Sequence, residues 1–409
     1  MGPSAYFALI VIVVGALIGS GGLLFAGVLM GLVLVLRSIW SRYGLNALLY
    51  ERHISAHRVL WGERLDLDLV VRNSKPLPLP WLRIDDTVTQ GAEIVGRELT
   101  PSLLRGFDVL RETWSIGWFE RVTRHLQIVG TRRGTYRFIS AELRVADLFA
   151  STHQTEERPI STSYRVVPRV VTVRSAVTDN EIGSVKATKG LYEEPSLFAG
   201  VRPYQPGDQL RRVHWKATAR LGVPVSRRYD PARERELLIA VDMQTMPGAS
   251  WMLNWDDDLV EGLCVATLSL ARAFVGDGIA VGLAVNAYSD RPQRTVFVPP
   301  RAGAGQLAAM ADLLADVSPY VSVPFDRLLG DVARRAPLGC SVIALSSRDP
   351  VEFVPTLRRL RAQGFAVTVA AFGPDAGSSC ARARSLGVRS AGYRLDPDWR
   401  TADALERVA

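Results

Sequence analysis

The chain has 409 residues, of which 48% are hydrophobic, and it carries a formal net charge of +8. This length exceeds what one ordinary core uses and indicates two or three domains. The positive charge favours acidic proteins, anionic lipid head groups or nucleic acid as partners. The three cysteines lie far apart in the sequence, and this spacing excludes a disulfide framework and a CxxC metal motif and fits a reducing compartment.

The N-terminal segment predicts a membrane hairpin. No charged side chain occurs in residues 4–36, and one helix over that run would be about 50 Å long, against a hydrocarbon core of about 30 Å. The glycines and serine at 19–22 interrupt the run, so we predict two short helices, at about 3–18 and 23–40, within a hairpin that occupies residues 1–43. A cleaved signal peptide is the alternative, but the basic start and small-residue cleavage site that it would have are not evident.

Orientation in the membrane follows from the charges that flank this segment. Arg37, Arg42 and Arg52 follow it, whereas the tip of the hairpin is uncharged. The positive-inside rule therefore predicts a multi-pass protein of the inner or plasma membrane, with its soluble domains in the cytoplasm.

Residues 44–174 predict a small β-sandwich-like domain. Apolar and polar side chains alternate over residues 65–72, which is the period of a half-buried strand, and the prolines between 73 and 80 predict a loop. Short strands at regular spacing are typical of a sandwich. The further strands predicted are 112–116, 125–129, 134–139, 142–145 and 164–173.

Residues 237–409 predict an α/β domain with a largely parallel sheet. The apolar run 237–241 is typical of a strand buried on both faces, and the three carboxylates at 256–258 suit the first turn of a helix. Strands and helices then alternate. The later strands predicted are 279–286, 295–298, 340–345, 365–372 and 388–394, and the helices are 256–275, 305–316, 325–335, 350–363 and 378–386.

Residues 175–236 are predicted to connect these domains and to carry a basic motif. From residue 202 to 236 there are nine Lys and Arg side chains against four Asp and Glu. A turn is predicted at 206–208, followed by an exposed strand at 212–216. Because Arg pairs with carboxylates and Trp anchors interfaces, we expect this motif to bind a protein partner. The predicted contact residues are Tyr204, Asp208, Arg211, Arg212, His214, Trp215, Lys216 and Arg220.

Other roles for the basic motif remain open at this point. An internal ion-pair network with the nearby acids would use the same arginines. Nucleic-acid binding is not favoured because no recognised binding motif occurs elsewhere in the chain. Catalysis by His214 would need a nucleophile and an orienting acid that the sequence does not supply. No GxxxxGK[ST] phosphate loop is present.

Asp242 follows the buried run 237–241, at the sheet edge where open parallel sheets place their sites. Mg²⁺ prefers oxygen ligands there, and the metal-ion-dependent adhesion site of von Willebrand factor A domains has Asp-x-Ser-x-Ser at this point. In this chain Gln244 and Met246 replace the two serines. Either Asp242 and Gln244 belong to an altered Mg²⁺ site, or Asp242 caps the strand end or pairs with an arginine.

The stretch from Arg202 through Asp208 to Arg220 resembles the signature of the bacterial "domain of unknown function 58" family. That signature runs approximately Arg-x-Tyr-x-Pro-Gly-Asp, then Arg-x-Ile/Val-x-Trp-Lys-x-Ser/Thr-Ala-Arg, and nearly every element is matched at the right spacing. The resemblance implies a von Willebrand factor A-like (Rossmann-like) C-terminal domain. It also implies a MoxR-type AAA+ ATPase as partner, in a chaperone-like or cell-envelope process, and the family has no established reaction.

We therefore expect a multidomain, membrane-anchored adaptor that is not an enzyme, uses no cofactor and binds a MoxR-type AAA+ ATPase. The alternative is a Mg²⁺-dependent binder or hydrolase centred on Asp242.

Overall fold

The computed structural model describes residues 3–146, 153–174, 193–205, 208–231, 236–248, 254–289 and 296–409. The chain divides into two compact units, Met1–Val167 and Pro168–Ala409. The predicted strand 164–173 is wrong as one element: it forms two strands, Thr162–Val167 and Thr172–Arg174, which belong to different units. The break falls at Pro168, which has no N–H to donate to a ladder.

Two apolar helices begin the chain, α1 (Pro3–Ile18) and α2 (Gly21–Tyr43). The two predicted helices are confirmed, and the turn between them contains Gly19, whose φ is 71°. The helices pack closely at small residues, because a Cβ atom added at Gly15 would lie 2.7 Å from the backbone nitrogen of Leu24.

The composition of α2 is that of a membrane span. Within its 23 residues, an 18-residue stretch has a mean hydropathy of 2.2, and 6% of that stretch is buried. Helix Asp257–Gly276 is also long and apolar enough, but 67% of its apolar 18-residue stretch is buried, as in the core helix of a soluble domain. The N-terminal helices therefore support association with a membrane.

Two facing sheets follow in the first unit and enclose one hydrophobic core. The first sheet has the order β1-β3-β8-β5, and the second has the order β2-β11-β9-β4-β7-β6 with β10 beside β9. The strands are β1 Leu48–Ile54, β2 Arg58–Leu60, β3 Arg64–Asn73, β4 Leu79–Thr89, β5 Glu93–Ile94, β6 Thr100–Pro101, β7 Phe107–Ile116, β8 Arg121–Val129, β9 Gly134–Ala146, β10 His153–Arg158 and β11 Thr162–Val167.

Two strand predictions in this unit need correction. The central strand β4 was not predicted because Pro80 argued for a loop, yet the ladder accommodates it with a shift of register between Leu79 and Leu82. The two strands predicted at 134–139 and 142–145 are the single strand β9, since no glycine or proline interrupts residues 135–146.

The second unit contains an eight-stranded sheet, flanked by helices, and two separate two-stranded sheets, which pair β13 with β14 and β17 with β19 in the numbering given next. Its strands are β12 Thr172–Arg174, β13 Glu193–Pro203, β14 Val225–Pro231, β15 Glu236–Val241, β16 Ala280–Val285, β17 Ala287–Ser289, β18 Val296–Arg301, β19 Val317–Val321, β20 Ser341–Ser346, β21 Ala366–Phe372, β22 Arg389–Leu395 and β23 Ala404–Arg407. Its helices are α3 Trp215–Leu221, α4 Asp257–Gly276, α5 Ala304–Asp316, α6 Phe325–Arg335, α7 Val354–Ala362 and α8 Ala376–Ser385.

The large sheet has the order β12-β23-β22-β21-β20-β15-β16-β18. Strands β22, β21, β20, β15 and β16 run parallel, and β18 closes one edge antiparallel. Strand β15 lies between β16 and β20, so chain connections leave it in both directions and create a crevice at its carboxyl end. The predicted alternation is confirmed, although β22 is not the last strand and the helix predicted at 350–363 begins as a separate 3₁₀ turn, Pro350–Glu352.

Candidate functional site

The basic motif lies between the two strands of a hairpin, β13 and β14, which pair antiparallel. The exposed strand predicted at 212–216 is wrong, because the chain there leaves a 3₁₀ turn, Leu210–Arg212, and enters helix α3. His214 caps this helix: its Nδ1 accepts a hydrogen bond from the amide of Ala217 at 3.1 Å. Gly222, with φ 69°, ends the helix in the left-handed conformation.

Asp208 closes the loop that leads into this helix. Its Oδ1 accepts from Arg202 Nη2 at 2.6 Å, and its Oδ2 accepts from the Gln205 amide at 3.1 Å and from Ser226 Oγ at 3.0 Å. These bonds, led by the one from Arg202, lower the pKa of Asp208 to about 2. Part of the basic motif is therefore an internal network that fixes the loop to strand β14.

Tyr204 belongs to the same loop. Its amide donates to the carbonyl of Pro224 at 2.9 Å, and its hydroxyl donates to the carbonyl of Asp208 at 3.4 Å. Both contacts are with the backbone of the hairpin. The structure thus gives Tyr204 a local bonding role, as it does for Asp208 and His214.

Of the other predicted contact residues, Arg212 is half-buried and the remaining four are exposed. These four, with two exposed leucines, make up a surface that we call the Trp215 face. Trp215 is 66% exposed and Leu210 is 70% exposed. The face consists of Leu210, Arg211, Trp215, Lys216, Arg220 and Leu221, all of them exposed. Lys216 and Arg220 make no ion pair with any side chain that the structure describes. A flat aromatic group among cations is a typical anchor for an acidic protein surface.

Asp242 lies in the crevice at the carboxyl end of β15 and is fully buried. Its Oδ1 accepts from Asn286 Nδ2 at 2.8 Å and from the Gln244 amide at 3.2 Å. Its Oδ2 accepts from Ser346 Oγ at 3.1 Å and from Arg348 Nε and Nη2 at 2.9 and 2.7 Å. An ion pair with Arg348 and hydrogen bonds from two further strand ends therefore satisfy the carboxylate.

This donor set does not fit Mg²⁺. Three of the groups around Asp242 present N–H atoms to it, and the Gln244 side-chain amide donates to the carbonyls of Met246 and Gly248. A hard cation needs oxygen ligands at that point. Among the described residues, no group of three or more His, Cys, Asp or Glu side chains is arranged for a metal.

A cleft of about 230 Å³ opens beside this network. Arg348 forms part of its wall and also pairs with Glu352, while Asp349 pairs with Arg382. Within the wall, therefore, Arg348 and Glu352 pair with each other, and Asp349 pairs with an arginine outside it. No nucleophile with an adjacent base is evident among the residues that line the cleft.

An arginine partner for Asp242 was one of the two predicted alternatives, although its identity was not predicted, and neither Asn286 nor Ser346 was predicted to contact it. These residues end β16 and β20, the neighbours of β15 on either side. The available signal was positional: polar residues that directly follow buried parallel strands meet at one edge of the sheet.

Comparisons with solved structures give only weak likenesses. The CARDB domain of a Pyrococcus furiosus protein, in complex with di-metal ions, is 16% identical and matches 29% of this chain and 91% of its own, with a TM-score of 0.20. A non-cellulosomal cohesin from Archaeoglobus fulgidus is 8% identical and matches 29% of this chain and 91% of its own, also with a TM-score of 0.20. Likenesses at this level do not bear on function.

Comparison of sequences is more informative. The chain is 23% identical over 245 residues to the uncharacterized protein YeaD of Bacillus subtilis (strain 168), a match that covers 59% of this chain and 56% of that protein. Residues 200–369, which contain both the Trp215 face and Asp242, match the family "Protein of unknown function DUF58". Both candidate sites therefore lie in the part of the chain that is similar to this family.

Proposed function

We propose that the chain is a membrane-anchored, non-enzymatic adaptor that binds a protein partner through the Trp215 face. The observation that carries this proposal is the exposure of Trp215, at 66%, among cationic side chains. An exposed tryptophan ring gains hydrophobic free energy when a partner covers it, and the residues that contribute most to binding at interfaces are enriched in Trp and Arg.

The network around Asp208 supports the same function. Asp208 bonds to Arg202 of β13, to the Gln205 amide and to Ser226 of β14, and so links the two strands of the hairpin. A surface that is ordered before binding loses less conformational entropy on association than a flexible one. In this proposal the Asp208 network supports the hairpin, and the Trp215 face binds the partner.

The partner that we propose is a MoxR-type AAA+ ATPase, in a chaperone-like or cell-envelope process at the cytoplasmic side of the membrane. This identification rests on the resemblance of the basic motif to the family signature. The order of the parallel strands, with β15 between β16 and β20 and β18 antiparallel at the edge, supports a von Willebrand factor A-like fold for the second unit. The cationic face requires acidic side chains on the partner.

The second candidate, a Mg²⁺-dependent binder or hydrolase centred on Asp242, is not favoured by the geometry. The buried carboxylate already pairs with Arg348, and releasing it to a metal would leave the guanidinium, 9% exposed, with only the half-exposed Glu352 as a partner. We propose that Asp242 has a structural role.

The test is capture of a MoxR-type AAA+ ATPase from the same organism, purified and offered in its apo, ATP-bound and ADP-bound states. The immobilised full-length protein in detergent should retain it in at least one state at low salt. The triple variant Arg211→Glu/Lys216→Glu/Arg220→Glu should not, because three contacts become repulsive. Binding in no state, or equal binding by both forms, contradicts the proposal.

A matched control has the same change of charge elsewhere. Arg105, Arg132 and Arg137 are exposed residues of the first unit, and the variant Arg105→Glu/Arg132→Glu/Arg137→Glu should capture the ATPase as well as the wild type does. If this variant also fails, the interaction depends on net charge and not on the Trp215 face.

A further inference from the structure

An exposed aromatic pair occupies the turn between β7 and β8 in the first unit. Trp118 and Phe119 are each 69% exposed. Phe119 has φ 52°, the left-handed region that bulky residues rarely adopt. The turn is held in this form because Glu120 Oε2 accepts from the Gly117 amide at 2.5 Å. Two large rings are therefore presented to the outside by an ordered turn.

This turn is bonded directly to the loop between β3 and β4. Asn73 donates its Nδ2 to the carbonyl of Gly117 at 2.7 Å, and its amide donates to the carbonyl of Glu120 at 2.8 Å. The amide of Phe119 donates to the carbonyl of Lys75 at 3.2 Å. The aromatic turn and this loop consequently form one ordered element at one end of the sandwich.

The same loop is bonded to the end of helix α2. Trp40 Nε1 donates to the carbonyl of Pro78 at 3.0 Å, and the amide of Ser74 donates to the carbonyl of Ala47, just after the helix, at 3.0 Å. Trp40 lies in the last turn of α2, where a spanning helix emerges from the lipid. The aromatic turn therefore lies at the end of the sandwich from which the apolar helices leave.

Two arginines without an ion-pair partner among the described residues lie beside the turn. Arg72 and Arg121 face each other across β3 and β8, directly beside it, and both are exposed. Neither makes an ion pair with any residue in the described part of the chain. Like charges opposite each other on neighbouring strands repel, so this pair is suited to an anion.

Lys75, a buried residue of the loop between β3 and β4, adds to this positive charge. It is 7% exposed, and no described atom accepts a hydrogen bond from its Nζ. Burial, and secondly the charge of Arg158, lower its pKa to about 8. At neutral pH Lys75 therefore remains largely protonated and contributes to the positive potential of this end of the sandwich.

We propose that this end of the sandwich rests on an anionic phospholipid surface, with Trp118 and Phe119 at the level of the head groups and Arg72 and Arg121 paired with lipid phosphates. The proposal rests on the membrane anchoring in the proposed function. Aromatic side chains favour the membrane interface, and anionic lipids attract cations near the surface. Continuity with α2 selects the lipid over a soluble protein as the occupant.

The experiment uses the full-length protein in nanodiscs of phosphatidylcholine, with and without phosphatidylglycerol, made with plain or brominated acyl chains. Bromine quenches tryptophans that lie at or below the head groups. Because the chain has nine tryptophans, the emission of Trp118 is obtained by subtracting that of the Trp118→Phe variant. We expect brominated lipid to lower the emission of Trp118 about twofold. Unchanged emission overturns the proposal.

A second probe separates this outcome from a failure of the membrane anchor. Phe25 is 67% exposed within α2, so a Phe25→Trp variant adds a tryptophan that the brominated chains should quench strongly. Quenching there but not at Trp118 overturns the lipid contact and leaves the anchor standing. Absence of quenching at both positions overturns the anchor and the contact together.

The charge requirement is tested with Arg72→Gln/Arg121→Gln. Phosphatidylglycerol should increase the quenching of Trp118 in the wild type, and this increase should disappear in the double variant. Arg105→Gln, at another exposed turn of the same unit, is the matched control and should retain it. A wild-type protein that responds equally to both lipid compositions contradicts the proposed pairing with lipid phosphates.

Discussion

The Asp242 network and the Trp215 face both contain arginine and both lie within residues 200–369, yet they use charge in opposite ways. Asp242 is fully buried, and its partner Arg348 is almost so. On the Trp215 face the cations and the aromatic ring are exposed to solvent. One site has its charges paired within the fold, and the other presents them to the outside.

The difference shows which site is available for recognition. Charges taken out of water must be paired at their burial site, and removing one partner is costly. Exposed cations beside an unburied Trp cost the fold little and gain most when an acidic partner covers them. The carboxyl end of β15, where open parallel sheets usually bind ligands, has the structural role that we propose for Asp242. The proposed partner contact lies instead on the β13–β14 hairpin, outside the large sheet.

The largest effect is expected for Asp242→Ala. The variant removes the buried carboxylate and leaves Arg348 with only the half-exposed Glu352 as a partner, so we expect the second unit to lose about 3 kcal/mol of its free energy of unfolding. Hydrogen exchange at the amides of β15 and β20 reports this loss for the second unit alone.

The double variant Asp242→Ala/Arg348→Met is the control for this prediction. It removes both charges and should recover a large part of the lost stability. If Asp242→Ala instead leaves exchange unchanged and abolishes a calorimetric response to Mg²⁺ or Mn²⁺ in the wild type, the metal interpretation is right and the comparison between the two sites fails.

Trp215→Ala is expected to act on binding alone. Truncating a central aromatic anchor costs about 2 kcal/mol or more, which lowers affinity for the ATPase roughly 30-fold. The melting temperature should not change, because the ring is mostly exposed. Trp118→Ala, which removes an exposed tryptophan from the first unit, should leave the affinity unaltered. A loss of stability in Trp215→Ala would show that the ring supports the fold.

Smaller effects are expected for the flanking cations. Lys216→Gln and Arg220→Gln should each lower affinity by about 0.5–1 kcal/mol at low ionic strength, mainly through the association rate. The difference from wild type should shrink as salt is raised towards 1 M, where screening is short-ranged. Stopped-flow association at several salt concentrations measures this. An effect that is independent of salt would contradict an electrostatic contact.

Periodicity predicted most of the second unit, because buried parallel strands are apolar runs and the helix starting at Asp257 has a carboxylate cap, Asp256. Predictions from local sequence were wrong where tertiary contacts override a local preference. Strand β4 keeps its central place despite Pro80. Helix α3 was missed because its cap is His214, which is not among the usual capping residues.

The sites could be predicted only in part. The basic motif is contiguous, so its residues were found, but its division into a supporting network and an exposed face depends on how the hairpin folds. The partner of Asp242 is 106 residues away in sequence, at Arg348. A single sequence contains no signal for such a pair beyond the positions of both residues near the ends of parallel strands.

The smallest expected effect concerns the support beneath the Trp215 face. The pKa of Asp208 is lowered to about 2 in the folded hairpin, against about 4 in an unfolded chain. The stabilisation is therefore complete above pH 4 and is lost as the pH falls towards 2. Hydrogen exchange at the Gln205 amide, corrected for intrinsic rates, should accelerate over that interval.

Asp208→Asn should remove this pH dependence and leave exchange moderately fast at all pH values, since the amide keeps one acceptor but loses the charge that pairs with Arg202. Asp403→Asn is the control, because the Asp403 carboxylate is 93% exposed and 3.6 Å from its nearest cation. If the wild-type amide exchanges at a constant corrected rate from pH 4 to pH 2, the carboxylate does not hold the loop. The order of the Trp215 face would then have to come from the His214 cap and the strand pairing alone.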